Sequence, residues 1–469
     1  MFNKQLNINQ KNLLLTLYVV ILGVFVPAIY WMSNTETPLT NRAKTVKNPI
    51  QKRISIGDKV LVTARNNGAK QAGVEAFARE DYTAALEEFK SALNSDRNDP
   101  ETLIYLNNAL AARTEDPRRI GLSVPIGGNL GVAQEILRGV AQAQNEINQN
   151  GGINGKLVMV EIANDDNDPE VAKEIAKRFA VDEKILAVVG HNDSNASVAA
   201  APIYQDNGLV MVTPTSSAEI IPKMGDYIFR TTPSARNLAD TLAEYAVKTL
   251  GKENIAMCID SESEVSVSLK ENFTWAVYNY GGKINPLNCD FSAPDFSPEG
   301  IPSQAISNGA DALLLAPSVR KVNKAMGIVR DNDDRLTLLG NHSLNTYKTL
   351  KEGQNNANGM VLTVPWSPQS NGLFAKSARE LWGGGVNWRT AMAYDASQTL
   401  FKAISLGAER QEVKQALSSP NFLAQGASSK ISFLPSGDRN MQGTLVEIEP
   451  GNRSGTGFDF KPIELEKAK

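Results

Sequence analysis

The sequence predicts an α/β chain with mainly parallel sheets in two strand–helix series, preceded by a transmembrane helix and a short α-helical hairpin. Three observations carry this. Between Ile120 and Ser217, short apolar runs alternate with segments of helical periodicity. A second series of the same kind starts at Asn254. Ahead of both lies Leu13–Met32, 20 residues without a charge, long enough to span a bilayer core. Strands that alternate with helices pair in parallel and are covered on both faces. The 469 residues exceed one ordinary core, so two or three domains are expected. A net charge of −3 without a basic stripe excludes a nucleic-acid footprint.

Residues 1–12 read as a cytoplasmic tail before the span. The span ends PAIYWMSNT, with no small-residue cleavage pattern and no following cysteine. It therefore reads as an uncleaved anchor in the inner membrane in preference to a cleaved signal peptide. Lys4 and Lys11 before it and Arg42, Lys44 and Lys47 after it leave orientation unsettled by charge. Residues 33–68 are a polar tether in which Arg53–Val62 reads as a short strand or docking segment. Residues 69–115 form the helical hairpin. Gly73, Ala85, Phe89 and Ala92 stand at the spacing of a tetratricopeptide repeat, which this stretch resembles over about one and a half units. Such a hairpin serves either as a partner-binding groove or as a spacer packed on the next domain.

The main body occupies residues 119–465. Its runs IGLSVPI, KLVMVEI, KILAVVG and LVMVTP read as strands of the first series. NIAMCID, ADALLLAP, LTLLGNHS and VLTVPW belong to the second. One lobe is expected at about 119–246 and 367–430, the other at about 247–366 and 431–465. Alike lobes enclose a cleft, a preferred place for a ligand. Cys258 and Cys289 fall in neighbouring strands and read as small apolar core residues rather than a bridge. With His191 and His342 they give no metal-ligand spacing, and no nucleophile elbow, phosphate loop or dinucleotide fingerprint is present. No cofactor and no enzymatic activity are expected.

What remains is hydroxyl chemistry at strand ends. Asn192, Ser194 and Ser197 follow KILAVVG where a helix begins; Ser216 and Ser217 follow LVMVTP. In a parallel sheet ligands sit beyond the carboxyl ends of strands. A helix N-terminus with hydroxyls suits a carboxylate, although each serine singly also reads as a helix cap.

IGLSVPIGG, EINQNGGINGK, NDDNDPEVA, AVVGHNDSNAS and APIYQDNGLVMVTPTSSAE resemble the type I solute-binding proteins of ABC transporters, in the leucine/isoleucine/valine-binding branch. Weaker likeness continues through FRTTPS, DFSAPDFS and AMAYDASQTL. The resemblance implies two Rossmann-like lobes joined by three hinge crossings. It implies that Ser194 binds a ligand carboxylate, that Ser216 and Ser217 hold its polar end, and that Tyr394 lines the cleft. The second lobe departs from the family pattern. Asn341-His342 stands where an acid would meet a ligand ammonium group, leaving Asp260, Glu262 or Glu264 to supply the charge. The expected solute is an amino acid, an amide or a small carboxylate. The expected protein partner is an ABC permease, or a signalling protein if the chain is a membrane-anchored sensor or scaffold.

Overall fold

The computed structural model describes residues 49–368, 372–427 and 429–464. The first sheet contains β1 (Ile54–Ser55), β2 (Arg118–Val124), β3 (Val158–Asn164), β4 (Ile185–Val189), β5 (Val210–Thr213) and β6 (Ile228–Arg230). Their spatial order is β1-β3-β2-β4-β5-β6. All pairs are parallel except β1, which runs antiparallel along β3. β4 and β5 are buried along their whole length, as strands covered on both faces must be.

The second lobe begins with β7 (Asn254–Ile259), β8 (Lys283–Ile284), β9 (Ala312–Ala316), β10 (Thr337–Gly340) and β11 (Val361–Val364). A small hairpin, β12 (Ala424–Gln425) and β13 (Lys430–Ile431), packs on the first lobe's returning helix, Trp388–Leu406. The chain then re-enters the second sheet as β14 (Thr444–Pro450) and β15 (Phe458–Pro462). That sheet has the order β15-β14-β11-β10-β9-β7-β8, parallel except for the two C-terminal strands. The chain thus passes between the sheets three times: after β6, after β11 and after β13. The helix Ala235–Glu244 buries Leu238, Ala239 and Leu242 in the second lobe's core.

The first lobe closes by helix-on-helix packing. Leu130–Gln149 lies against Trp388–Leu406, and a Cβ at Gly139 would stand 2.3 Å from the Thr390 carbonyl oxygen. Only glycine permits that approach.

Ahead of β2 lie the helices Gly68–Ala78, Tyr82–Ser95 and Pro100–Ala112. Gly73 lets the first two meet, since a Cβ there would stand 2.5 Å from the Phe89 ring. The Lys70 ammonium is fully buried between Asp99 and Glu101, 2.7 Å from each. Asn108, on the third of these helices, fixes the group to the first sheet. Its amide donates to Ile56 O and Val160 O, both at 2.8 Å, and its carbonyl accepts from Val160 N at 2.9 Å. Arg53–Val62 indeed contains a short strand, β1. The proposed span Leu13–Met32 lies outside the described residues, among which no helix is long and apolar enough to cross a membrane.

The cysteines correct the reading above. Cys258 and Cys289 form a disulfide, with Cα atoms 4.6 Å apart. Ile259 N donates to Cys289 O at 3.1 Å, and Ile259 bridges to Asp290, so the Cys289 segment runs alongside β7. That pairing, which a string of residues does not display, brings the sulfurs together.

Candidate functional site

The loops beyond β4, β5, β7, β9 and β10 meet between the lobes. Asn192, Asp193, Ser194 and Thr215 from the first lobe face Val265, Val319, His342 and Ser343 from the second, with Trp388 and Arg389 completing a cavity of about 30 Å³. That volume holds little more than water, so the lobes are closed on one another. Asn195 latches them: its amide donates to Glu262 O at 2.7 Å and its carbonyl accepts from Glu264 N at 3.0 Å. A wider mouth of about 410 Å³, lined by Asn129, Glu135, Thr346 and Tyr347, shares Val319 and Arg389 with the cavity. A further concavity of about 570 Å³ lies between Gly383–Gly385 and the second lobe's edge, around Trp366, Val446 and Phe460, and shares Trp388 with the cavity and Glu135, Thr346 and Tyr347 with the mouth. None of the loop residues beyond β4 and β5 lines it.

The first-lobe wall is rigid. His191 is wholly buried, with Nδ1 2.7 Å from Asp165 Oδ2 and Nε2 3.1 Å from the Tyr204 hydroxyl. Its backbone carbonyl accepts from Thr213, Ser197 and Ser216 hydroxyls. Thr215 donates to Asn192 O at 2.9 Å. Asp193 caps the helix Ser194–Asp206 by accepting from Asn195 N at 3.0 Å. Burial raises the Asp193 carboxyl, against the pull of the Arg320 charge.

The sequence-derived site residues separate into three groups. Ser194, Asn192 and His342 line the cavity, and Ser217 adjoins it, its hydroxyl 3.5 Å from His342 Nε2. Ser216 is turned into the loop network, 2.7 Å from the Ser197 hydroxyl. Tyr394, Asp260 and Glu264 lie elsewhere. The Tyr394 hydroxyl donates to Glu146 at 2.7 Å and its ring packs on Phe374. Tyr394 sits about one and a half helical turns from the cavity-lining end of its helix, on the face toward Leu130–Gln149. Asp260 is buried; burial alone would raise its carboxyl, but the Ser292 hydroxyl and the Lys321 charge hold it below the usual range. Glu264 is exposed, and Glu262 pairs with Lys321 at 3.1 Å. None of these acids lines the cavity.

Sequence reasoning missed Trp388 and Arg389. The Arg389 guanidinium lies 4.3 Å from the Trp388 ring and donates to Asn345 O at 2.9 Å. Burial pulls Arg389 down to about 10. Burial, helped by the Arg389 charge, pulls His342 down to about 3, so its imidazole is neutral at physiological pH. A signal existed: Arg389 stands in the first turn of a helix, where the dipole disfavours a cation.

The periplasmic binding protein family profile matches residues 117–452. The chain is 30% identical over 146 residues to an amino acid binding protein of Pseudomonas aeruginosa, covering 31% of this chain and 39% of that protein. It is 25% identical over 246 residues to the Leu/Ile/Val-binding protein BraC3 of Rhizobium johnstonii, covering 52% and 66%. Both matches span less than two thirds of the relative's own length. Among solved structures, the leucine binding protein LivK of Thermotoga maritima superposes with a TM-score of 0.65 at 22% identity, over 73% of this chain and 97% of that one. A solute binding protein from R. palustris in complex with 4-hydroxybenzoate gives 0.63 at 18%, over 74% and 96%. These two show the shared fold. The proteins it resembles are solute-binding proteins rather than enzymes. With the family profile covering every strand of the two sheets except β1 and β15, and the loops between them, the chain belongs to the periplasmic binding protein family.

Proposed function

We propose that this protein is the solute-binding subunit of an ABC-type amino-acid transporter, working in the periplasm and held to the inner membrane by Leu13–Met32. It binds a small amino-acid-like, amide or carboxylate solute between its lobes and presents the closed form to a permease. The observation that carries this is the convergence of strand-end loops from both lobes on one polar cavity. Closure then reports solute because the closed form offers contacts that the open form lacks. Isothermal titration against amino acids, amides and small carboxylates tests it. Ser194→Ala and Ser217→Ala are expected to weaken binding about tenfold or more, since a hydrogen bond to a charged group contributes about 1.5–3 kcal/mol. Flat titrations across the panel reject the reading.

The alternative, a membrane-anchored sensor or scaffold, rests on the three N-terminal helices, whose Gly73–Phe89 approach fits the tetratricopeptide pattern. Their docking through Asn108 favours a buttress instead. Co-purification of the full-length chain with permease subunits supports transport; recovery of a kinase supports sensing.

A further inference from the structure

The cavity lacks an acid placed to meet an ammonium group, and it holds a buried base that makes no ion pair among the described residues. Arg389 is 3% exposed, yet no carboxylate among the described residues lies within ion-pair distance of it. Glu135, whose charge favours the Arg389 cation, is already engaged by Arg138 at 2.6 Å, by the Thr390 hydroxyl and by Asn387 N. Asp193 lines the same cavity but is committed to its helix cap, and burial pushes it toward the neutral form. A guanidinium has five N–H donors, of which Asn345 O accepts one. Leaving such a cation buried and unpaired is costly.

The neighbouring groups are also donors in want of acceptors. The Ser194 hydroxyl lines the cavity and has no side-chain partner among the described residues. The Trp388 indole N–H is buried without a partner, and so is His342 Nδ1. When the Ser217 hydroxyl donates to His342 Nε2, Nδ1 carries the ring proton and is a donor too. Ser194 also opens the helix Ser194–Asp206, whose first N–H groups favour negative charge.

We propose that Arg389 is the counter-ion for a carboxylate of the bound solute, so that this cleft selects organic anions over neutral amides. This rests on the solute-binding reading above and narrows its ligand class. The carboxylate would take the place of the Asn345 carbonyl or share Arg389 with it, bridging the lobes through charge.

The test uses the full-length protein in low salt at pH 7.5, with matched acid and amide pairs: acetate and acetamide, benzoate and benzamide, 4-methylpentanoate and 4-methylpentanamide, plus leucine. At least one acid is expected to bind about thirtyfold or more tighter than its amide. Arg389→Gln is expected to abolish that preference and Arg389→Lys to keep part of it, because charge survives without the planar fork. Without solute, Arg389→Gln is expected to be no less heat-stable than the parent, since it removes an unpaired buried cation. An acid–amide preference that survives Arg389→Gln, or amides binding as well as their acids, overturns the proposal and leaves the solute-binding reading standing. No binding of any acid, amide or leucine ends both.

Discussion

Asn195→Ala perturbs closure without touching the cavity walls. Asn195 is the second residue of the helix Ser194–Asp206, and its side chain makes two hydrogen bonds to backbone atoms of the other lobe. Alanine is the better helix former, so the first lobe keeps its stability. Each lost bond contributes about 0.5–1.5 kcal/mol net, and both lie near solvent, so closure is weakened by about 1–2 kcal/mol. That is a shift of about 5–30-fold toward the open form. Solute affinity falls by the same factor wherever binding requires closure. Small-angle scattering should show a larger radius of gyration for the solute-free variant, and titration should show the matching loss. If both the radius and the affinity stay at parent values, Asn195 is not a latch, and the closed form is held by something else.

Lys70→Met leaves Asp99 and Glu101 buried without their cation, and is expected to cost about 3–5 kcal/mol in urea unfolding; a change below about 1 kcal/mol would show that the site rehydrates freely. Reduction of the Cys258–Cys289 bridge, which closes a separation of 31 residues, should destabilise by about 2–4 kcal/mol, read as a lower melting temperature in dithiothreitol. Cys258→Ser should remove that sensitivity. His342 is held neutral when folded, down to about pH 3, but takes up a proton near pH 6.5 when hydrated. Its contribution is therefore complete above about pH 6.5 and is lost progressively as pH falls toward 3, by a few kcal/mol in all. His342→Gln should flatten the acid limb of a stability–pH profile; an identical limb would place the proton uptake elsewhere.

The alternation of strands and helices was legible because parallel strands buried on both faces must be short, apolar and bounded by polar loops. Ser194 and Asn192 could be placed at the cavity because strand ends and helix starts are written locally. The second wall was not legible in the same way. Asp260 and Glu264 follow a strand as a ligand-pairing acid would, yet Asp260 is turned to Ser292 and Lys321 and Glu264 to solvent. Tyr394 fits a cleft residue by its helix, but helical rotation puts it against Glu146. Arg389 reaches the cavity only because a distant segment returns to the first lobe, and Cys289 reaches Cys258 only because its segment lies along β7. Such placements depend on tertiary pairing, to which local periodicity is blind.

The three passages between the sheets also set the order in which the molecule can be built. The first lobe needs the helix Trp388–Leu406 against Leu130–Gln149, and the second needs β14 beside β11. Neither core is finished until segments from the last fifth of these 469 residues have been added. The nascent chain is therefore obliged to stay incompletely folded through most of its synthesis. That delay fits the periplasmic location proposed above, where the Cys258–Cys289 disulfide can form.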